Sequence, residues 1–447
     1  MDGSKHPLKI MIIGGSLSGL MCGIALKHAG HAVTVIDPEG DQRQSHMAGV
    51  CLGPDAEAFM GQHDRLSDVF CHRSNRLQTL NKDEDLKVFV NIIRDITSWD
   101  TLYFRLRSCF DGYASSIYAA APSVAETDGP AEYICHRKLV DIRRVYSDYQ
   151  QEQMGLTTLD CSTGEVTEIK ADLVIGADGP DSFVRSRYLH GTRRQYVGYI
   201  AWRGTVREAD VSAETREVFH RSVTLQLMHL QHCIMYTIPG HDGSLKPGER
   251  LLNFLWYTNE SEEALDEIMI DGVDGHRHHN IVPAGRVRQD IWDTRVDMAR
   301  RIPLTAPFLE VITKIERPFV QVITEFCSER AAFEDGRVLL VGDALSLYRP
   351  HTAFSATQAA FDALQVREHV DGKISVQRWE NRVLRFARLH WLQSIWWGSY
   401  YQHRRPFALL MAMRYWAYCA VDRLKAWWHG EEPLLRTSVR RLIPYDP

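Results

Sequence analysis

The 447-residue chain carries 52 Lys and Arg against 57 Asp and Glu, a formal charge of −5, and is 45% hydrophobic. That balance argues against a nucleic-acid partner, and the length suffices for two or three domains with a sizeable core. Nine scattered cysteines with no Cys-x-x-Cys pair predict no metal site and no disulfide framework; a reducing, cytoplasmic setting fits, as does a leading "MDGSKHPLKIM" without a secretory pattern.

Residues 8–13, "LKIMII", read as a short buried strand. Over 18–29, Leu20, Ile24 and Leu26 recur at helical spacing, and "AVTVID" forms a second buried strand ending at Asp37. This is a βαβ unit, which predicts a parallel, doubly wound sheet. Its turn reads Gly14, Gly15, Ser16, Leu17, Ser18, Gly19. A dinucleotide fingerprint has glycine at the place of Ser16, so the backbone can approach a pyrophosphate. Serine is small enough for that approach, and its hydroxyl can donate to a phosphate oxygen. The helix N-terminus attracts an anion in any case. Asp37 stands where a carboxylate would bind ribose hydroxyls. A purely structural strand-turn-helix is the alternative.

Two later units, "ADLVIGADG" (171–179) and "GRVLLVGDA" (336–344), again end a buried strand in Asp. Between them "YVGYIAWRGTV" (196–206), "HCIMYTIPG" (232–240) and "LLNFLWYT" (251–258) read as strands of a mostly antiparallel second sheet. Residues 274–287 read as a connecting loop, with His278 and His279 exposed to solvent. From about 376 the chain becomes helical, basic and rich in tryptophan.

The three separated motifs resemble those of the class A FAD-dependent aromatic monooxygenases. They are the glycine-rich turn, "GADGPDSFVRSRY" and "LLVGDALSLYRPHTAFSATQAAFDAL", in that order. "GGSLSG", "TSWDTLYFRLRS", "YVGYIAWRG" and "RPH" are similar to the 2,6-dihydroxypyridine hydroxylase-like branch. The resemblance implies a Rossmann-like FAD-binding α/β domain with an inserted antiparallel-sheet substrate domain and a C-terminal helical tail. The segments would be 1–75, 98–190 and 316–375 for FAD, 76–97 and 191–315 for substrate, and 376–447 for the tail. It implies non-covalent FAD and NAD(P)H as co-substrate, with a flavin C4a-hydroperoxide oxygenating an electron-rich aromatic, heteroaromatic or enol-like small molecule.

By the same resemblance Gly14, Gly15, Ser16, Ser18 and Gly19 hold the pyrophosphate, Asp37 the adenosine ribose, and Gly49 runs beside the isoalloxazine. Asp178 and Gly179 lie near the cofactor, and Asp343 accepts from the ribityl chain. Pro350, Ala353, Phe354 and Ser355 lead a helix N-terminus toward the flavin. Capping a helix is the alternative role for Asp178 and Asp343. The chain departs from the family's Pro-x-x-Gly-x-Gly at Ala353 and Ser355, which leaves open a non-redox cyclase, isomerase or binding protein on the same fold. It also departs at Trp99, where many relatives have a phosphate-gripping arginine. Arg105 or Arg107 is the expected replacement, and Arg107 is counted in the cofactor set.

For substrate, alternation places Tyr199, Ala201 and Arg203 on one face and Ile200 and Trp202 on the other. The first face either holds a phenolic substrate or is an ordinary polar outer face. His351, with an unperturbed pKa of about 6.5, is the expected proton acceptor. The Trp- and Arg-rich tail either packs over the flavin domain or a partner subunit, or lies on a membrane surface. Monomer and homodimer both stay open.

Overall fold

The structure is a computed structural model that describes residues 6–41, 43, 48–146 and 152–429. Residues 430–447 of the expected tail lie outside the described residues. A six-stranded sheet runs in the order Ala332–Phe333, Val338–Leu340, Leu173–Gly176, Lys9–Ile13, Ala32–Ile36, Ala131–Ile134. All neighbours are parallel except the first pair. Ile10 and Ile12 are fully buried and Met11 is nearly so, because helices and a second layer cover both faces of the sheet. In register, Ile13 lies beside Ile36 and Gly176, and Gly176 beside Leu340. The four strands therefore end at one edge, where Gly14, Asp37, Asp178 and Asp343 follow them. Ligands of open α/β sheets bind along this carboxyl edge.

The second sheet has ten strands and is mostly antiparallel. Within it Gln195–Arg207 is bonded on one side to Leu251–Asn259 and on the other to Phe319–Cys327. Strands His72–Leu80 and Leu86–Ser98 extend it, and Gly49–Leu52 forms its edge against Ser98 through Asp95. The alternation in "YVGYIAWRG" is realised as read. Ile200 and Trp202 enter one core with Phe254, Trp256 and Val320, while Tyr199 and Ala201 enter another with Leu255, Tyr257 and Ile323. Tyr199, Ala201 and Arg203 are all buried, so their face is not an ordinary polar exterior.

One element has no counterpart in the sequence reading. Arg137–Tyr146, Glu152–Asp160 and Val166–Ala171 form a separate three-stranded antiparallel sheet between the glycine-rich turn and the "ADLVIGADG" motif. In the 274–287 loop, Ile281–Val282 adds a short edge strand. His278 there is half-buried, not fully exposed, because it pairs with buried Asp271 at 2.8 Å.

The tail is two helices, Val376–Gln402 and Arg405–His429. The first is capped by Ser375 and buries Trp379, Phe386, Leu389 and Leu392. No helix among the described residues is long and apolar enough to cross a membrane.

Candidate cofactor and substrate site

The glycine-rich turn is dictated by close approach. Gly14 has φ +99°, and a Cβ there would come within 2.4 Å of the Ala177 carbonyl oxygen. A Cβ at Gly15 would strike the Tyr133 hydroxyl at 2.2 Å, and one at Gly19 the Gly14 carbonyl oxygen at 1.9 Å. Ser16 is different. It is the N-cap of helix Leu17–Lys27, yet its side chain makes no capping bond, and it lines a large cavity. The hydroxyl and the first-turn N–H groups are thus available to an anion.

Asp37 is buried and fixes the turn. It accepts from Gly15 N at 2.6 Å, Glu39 N at 2.9 Å and Arg43 Nη2 at 2.8 Å. Arg43 is a residue the sequence reading missed. Its guanidinium lies over Trp99 at 5.6 Å and Tyr103 at 5.1 Å, and its buried Nη1 has no partner among the described residues. Arg107 does not take the place proposed for it. Its donors go to Asp111, the Tyr103 hydroxyl and Asp41, and it stacks on Tyr133 at 3.6 Å, away from the cavity. Arg105 is likewise turned to Asp64 and the Leu66 carbonyl. The cation beside Trp99 is Arg43.

The two later Asp residues divide between the two roles weighed for them. Asp178 accepts from the Ser182 hydroxyl at 2.5 Å and from Val184 N at 3.1 Å, so it secures the start of helix Phe183–Tyr188. Its backbone, with that of Ala177, packs on Gly14; Gly179 follows at φ +75° and Pro180 lines the cavity. Asp343 makes no cap and no hydrogen bond among the described residues, and it lines the cavity. Burial pushes its carboxyl up to about 6. A desolvated carboxylate with unused lone pairs fits a ligand that brings hydroxyl donors.

Helix Ser355–Val370 positions Asp343 from behind. Asp362 accepts from Gly342 N at 2.8 Å, and Gln358 donates to the Gly342 carbonyl at 2.7 Å. A Cβ at Gly342 (φ +57°) would meet Ser18 Oγ at 2.3 Å. Ser18 therefore packs against the Gly-Asp turn and not on the cavity, contrary to its expected place at the pyrophosphate. The same helix fixes the segment after Gly49, since Gly53 N donates to Thr357 Oγ1 at 3.2 Å. Gly49 lies against the Tyr236 ring, and its neighbour Ala48 lines the cavity. Pro350 and Ser355 line it too, whereas Phe354 turns its ring onto His390 at 4.3 Å.

Ala353, in place of a family glycine, adopts a left-handed conformation at φ +54°, ψ 39°. A Cβ there costs about 1–2 kcal/mol, and glycine in the unfolded chain costs about 0.5–1 kcal/mol of that back. Ala353→Gly is therefore expected to stabilise the protein by roughly 0.5–1 kcal/mol. A lowered urea midpoint at unchanged slope would contradict the strain.

The cavity measures about 1430 Å³. It runs from Ser16, Ala48, Trp99, Asp343 and Ser355 to Arg203, Thr205, Phe319, Gln321 and Ile323 of the large sheet. Drug-sized pockets span roughly 300–1,000 Å³, so this one has room for a dinucleotide and a second small molecule. Arg203 donates to Gln321 Oε1 at 2.8 Å and leaves a buried Nε unpartnered among the described residues.

Tyr199 and His351 meet behind this cavity. The Tyr199 hydroxyl lies 2.8 Å from His351 Nε2, in a cluster with Tyr257, His232 and Tyr401. The first tail helix closes the cluster. A Cβ at Gly398 would lie 2.8 Å from the Tyr199 hydroxyl, and Gln402 bonds His232 Nδ1 at 2.9 Å. His351 Nδ1 and His232 Nε2 are buried without partners among the described residues. The near-neutral pKa expected for His351 does not hold. Burial, with His232 and Arg349 nearby, pushes it well below the usual imidazole range, and burial takes His232 down to about 3. Both rings are neutral at physiological pH, and burial raises the Tyr199 phenol.

A parallel sheet with a glycine-rich turn, closed by a second sheet over a shared cavity, defines a dinucleotide-binding two-sheet enzyme. Comparisons with known proteins show which enzymes it is similar to. A family model described as FAD binding domain-like matches residues 196–325. The chain is 29% identical to 2,6-dihydroxypyridine 3-monooxygenase of Paenarthrobacter nicotinovorans over 84% of this chain and 87% of that protein. The solved 2,6-dihydroxypyridine-3-hydroxylase of Arthrobacter nicotinovorans superposes with TM-score 0.74 at 28% identity, over 90% of this chain and 94% of that one. Klebsiella pneumoniae HpxO, solved with FAD and uric acid, shares the fold at TM-score 0.62 and 14% identity, over 92% of each chain. The chain is thus similar over most of its length to FAD-dependent monooxygenases of class A, and its cofactor is FAD.

Proposed function

We propose that this enzyme hydroxylates an electron-rich aromatic or heteroaromatic small molecule at the expense of NAD(P)H and O2. The observation that carries the reading is the single cavity, lined at one end by Ser16, Asp343 and Ser355 and at the other by Arg203 and Gln321. When bound, FAD reduced by NAD(P)H would supply the activation of O2, of which one atom goes to the substrate carbon and the other leaves as water. The chain's own residues bind, orient and exclude water. Ser16 and the N-terminus of its helix take the pyrophosphate, Asp343 the ribityl hydroxyls, and the N-terminus of helix Ser355–Val370 favours negative charge on the flavin. Arg203 offers its unpartnered Nε to a phenolate or ring oxygen. Tyr199 and neutral His351, bonded to each other behind the cavity, brace its substrate end, and the buried aromatic cluster keeps water out. The non-redox alternative is not favoured, because relatives at 28–29% identity are named as a monooxygenase and a hydroxylase.

NAD(P)H consumption is measured with a panel of phenols and hydroxylated heteroaromatics. A compound that accelerates it and leaves hydroxylated supports the reading. No acceleration by any hydroxylated ring, with flavin present, would sink it. Arg203→Met should lower the stimulated kcat/KM by roughly 10- to 150-fold at unchanged flavin content, the cost of one hydrogen bond from a charged donor. Because His351 stays neutral, its titration should add no inflection to kcat/KM between about pH 6 and pH 8.

A further inference from the structure

Helix Arg405–His429 packs on the rest of the molecule by one face only. Ala408, Tyr415, Cys419, Asp422 and Ala426 are buried, at the three-, four- and seven-residue spacings of a single stripe. The opposite stripe is apolar and open to solvent. Leu410, Met413, Leu424 and Trp428 are 51–78% exposed, with Trp416 and Trp427 beside them. Scattered exposed hydrophobics are ordinary, but a continuous face along a whole helix marks an interaction surface.

Charge along the borders identifies the partner. At about 100° per residue, Arg414 and Lys425 flank the apolar stripe on one side, and Arg405 and Arg423 on the other. All four are exposed, and none is ion-paired among the described residues. The helix has one acidic residue, Asp422, which is buried and bonded to Arg385 at 2.9 Å on the packed side. Two copies joined through this face would bring cation against cation with no carboxylate to answer. Tryptophan in an apolar stripe bordered on both sides by cations suits the boundary between headgroups and acyl chains.

We propose that helix Arg405–His429 docks this enzyme, reversibly and in the plane of the surface, on an anionic lipid bilayer. The FAD-loaded full chain is sedimented with vesicles of phosphatidylcholine alone and of phosphatidylcholine mixed with phosphatidylglycerol. Pelleting with the anionic vesicles should exceed that with neutral ones at least ten-fold, and should fall as salt rises. Leu424→Glu with Trp428→Glu should abolish it at unchanged flavin content and unchanged NAD(P)H oxidation in solution, readouts that test the enzymatic reading separately. Should that pair lose flavin, Arg423→Ser with Lys425→Ser serves instead, with an expected loss of at least ten-fold. No pelleting with anionic vesicles, or pelleting that the variants retain, overturns the proposal. So does a dimer in light scattering that the glutamate pair converts to monomer.

Discussion

Ser16→Leu abolishes FAD uptake while leaving the fold intact. The position opens on the cavity at the N-terminus of helix Leu17–Lys27, where free backbone N–H groups suit the pyrophosphate proposed to bind there. An isobutyl side chain there fills the space that the phosphates require. Loss of an N-cap usually costs about 1 kcal/mol, but Ser16 makes no capping bond, so the stability cost is smaller than that. Ser16→Gly separates clearance from donation. If the hydroxyl donates to a phosphate oxygen, glycine weakens FAD by about 1 kcal/mol or more, roughly five-fold. FAD titrated into the apo forms decides between them, and a leucine variant that binds like the wild type removes the turn from the cofactor site.

Asp343→Ala lowers FAD affinity by about 1–3 kcal/mol, or roughly 5- to 150-fold, the cost of losing a carboxylate acceptor. The apo protein responds in the opposite sense. Burial raises the Asp343 carboxyl from 3.8 to about 6, so folding favours its protonated form. Stability from this group is present below about pH 4 and is lost as pH rises through about 6. Asp343→Asn should therefore stabilise the apo protein at pH 7 by about 1–2 kcal/mol, discounted because the carboxylate lines an open cavity. Weakened FAD binding together with a sturdier apo protein is the expected pair of results. Unchanged FAD affinity would free Asp343 of its role.

The position of Ser16 and Asp343 on the cavity was legible because each follows a short apolar strand, and parallel strands end at one edge of their sheet. Packing that crosses the chain was not. Gln358 and Asp362 hold Gly342 from a helix that the motif reading aimed only at the flavin. Arg43 owes its place to Asp37 and to the Trp99 and Tyr103 rings, contacts that no spacing announces. Arg107 carried its own warning, since Asp111 stands four residues on, where a helical arginine finds its ion partner. The pKa of His351 was misjudged because burial among Tyr199, Tyr257, His232 and Tyr401 arises only in the folded molecule. The sheet of Arg137–Tyr146, Glu152–Asp160 and Val166–Ala171 escaped notice because its strands alternate weakly and stay half-exposed.

The most direct measurement is the flavin content of the purified protein, released by acid precipitation and identified in the supernatant. Close to one FAD per chain, all of it soluble, is expected of a non-covalent cofactor held between Ser16 and Asp343. A colourless protein that takes up no added FAD would contradict the assignment of this cavity.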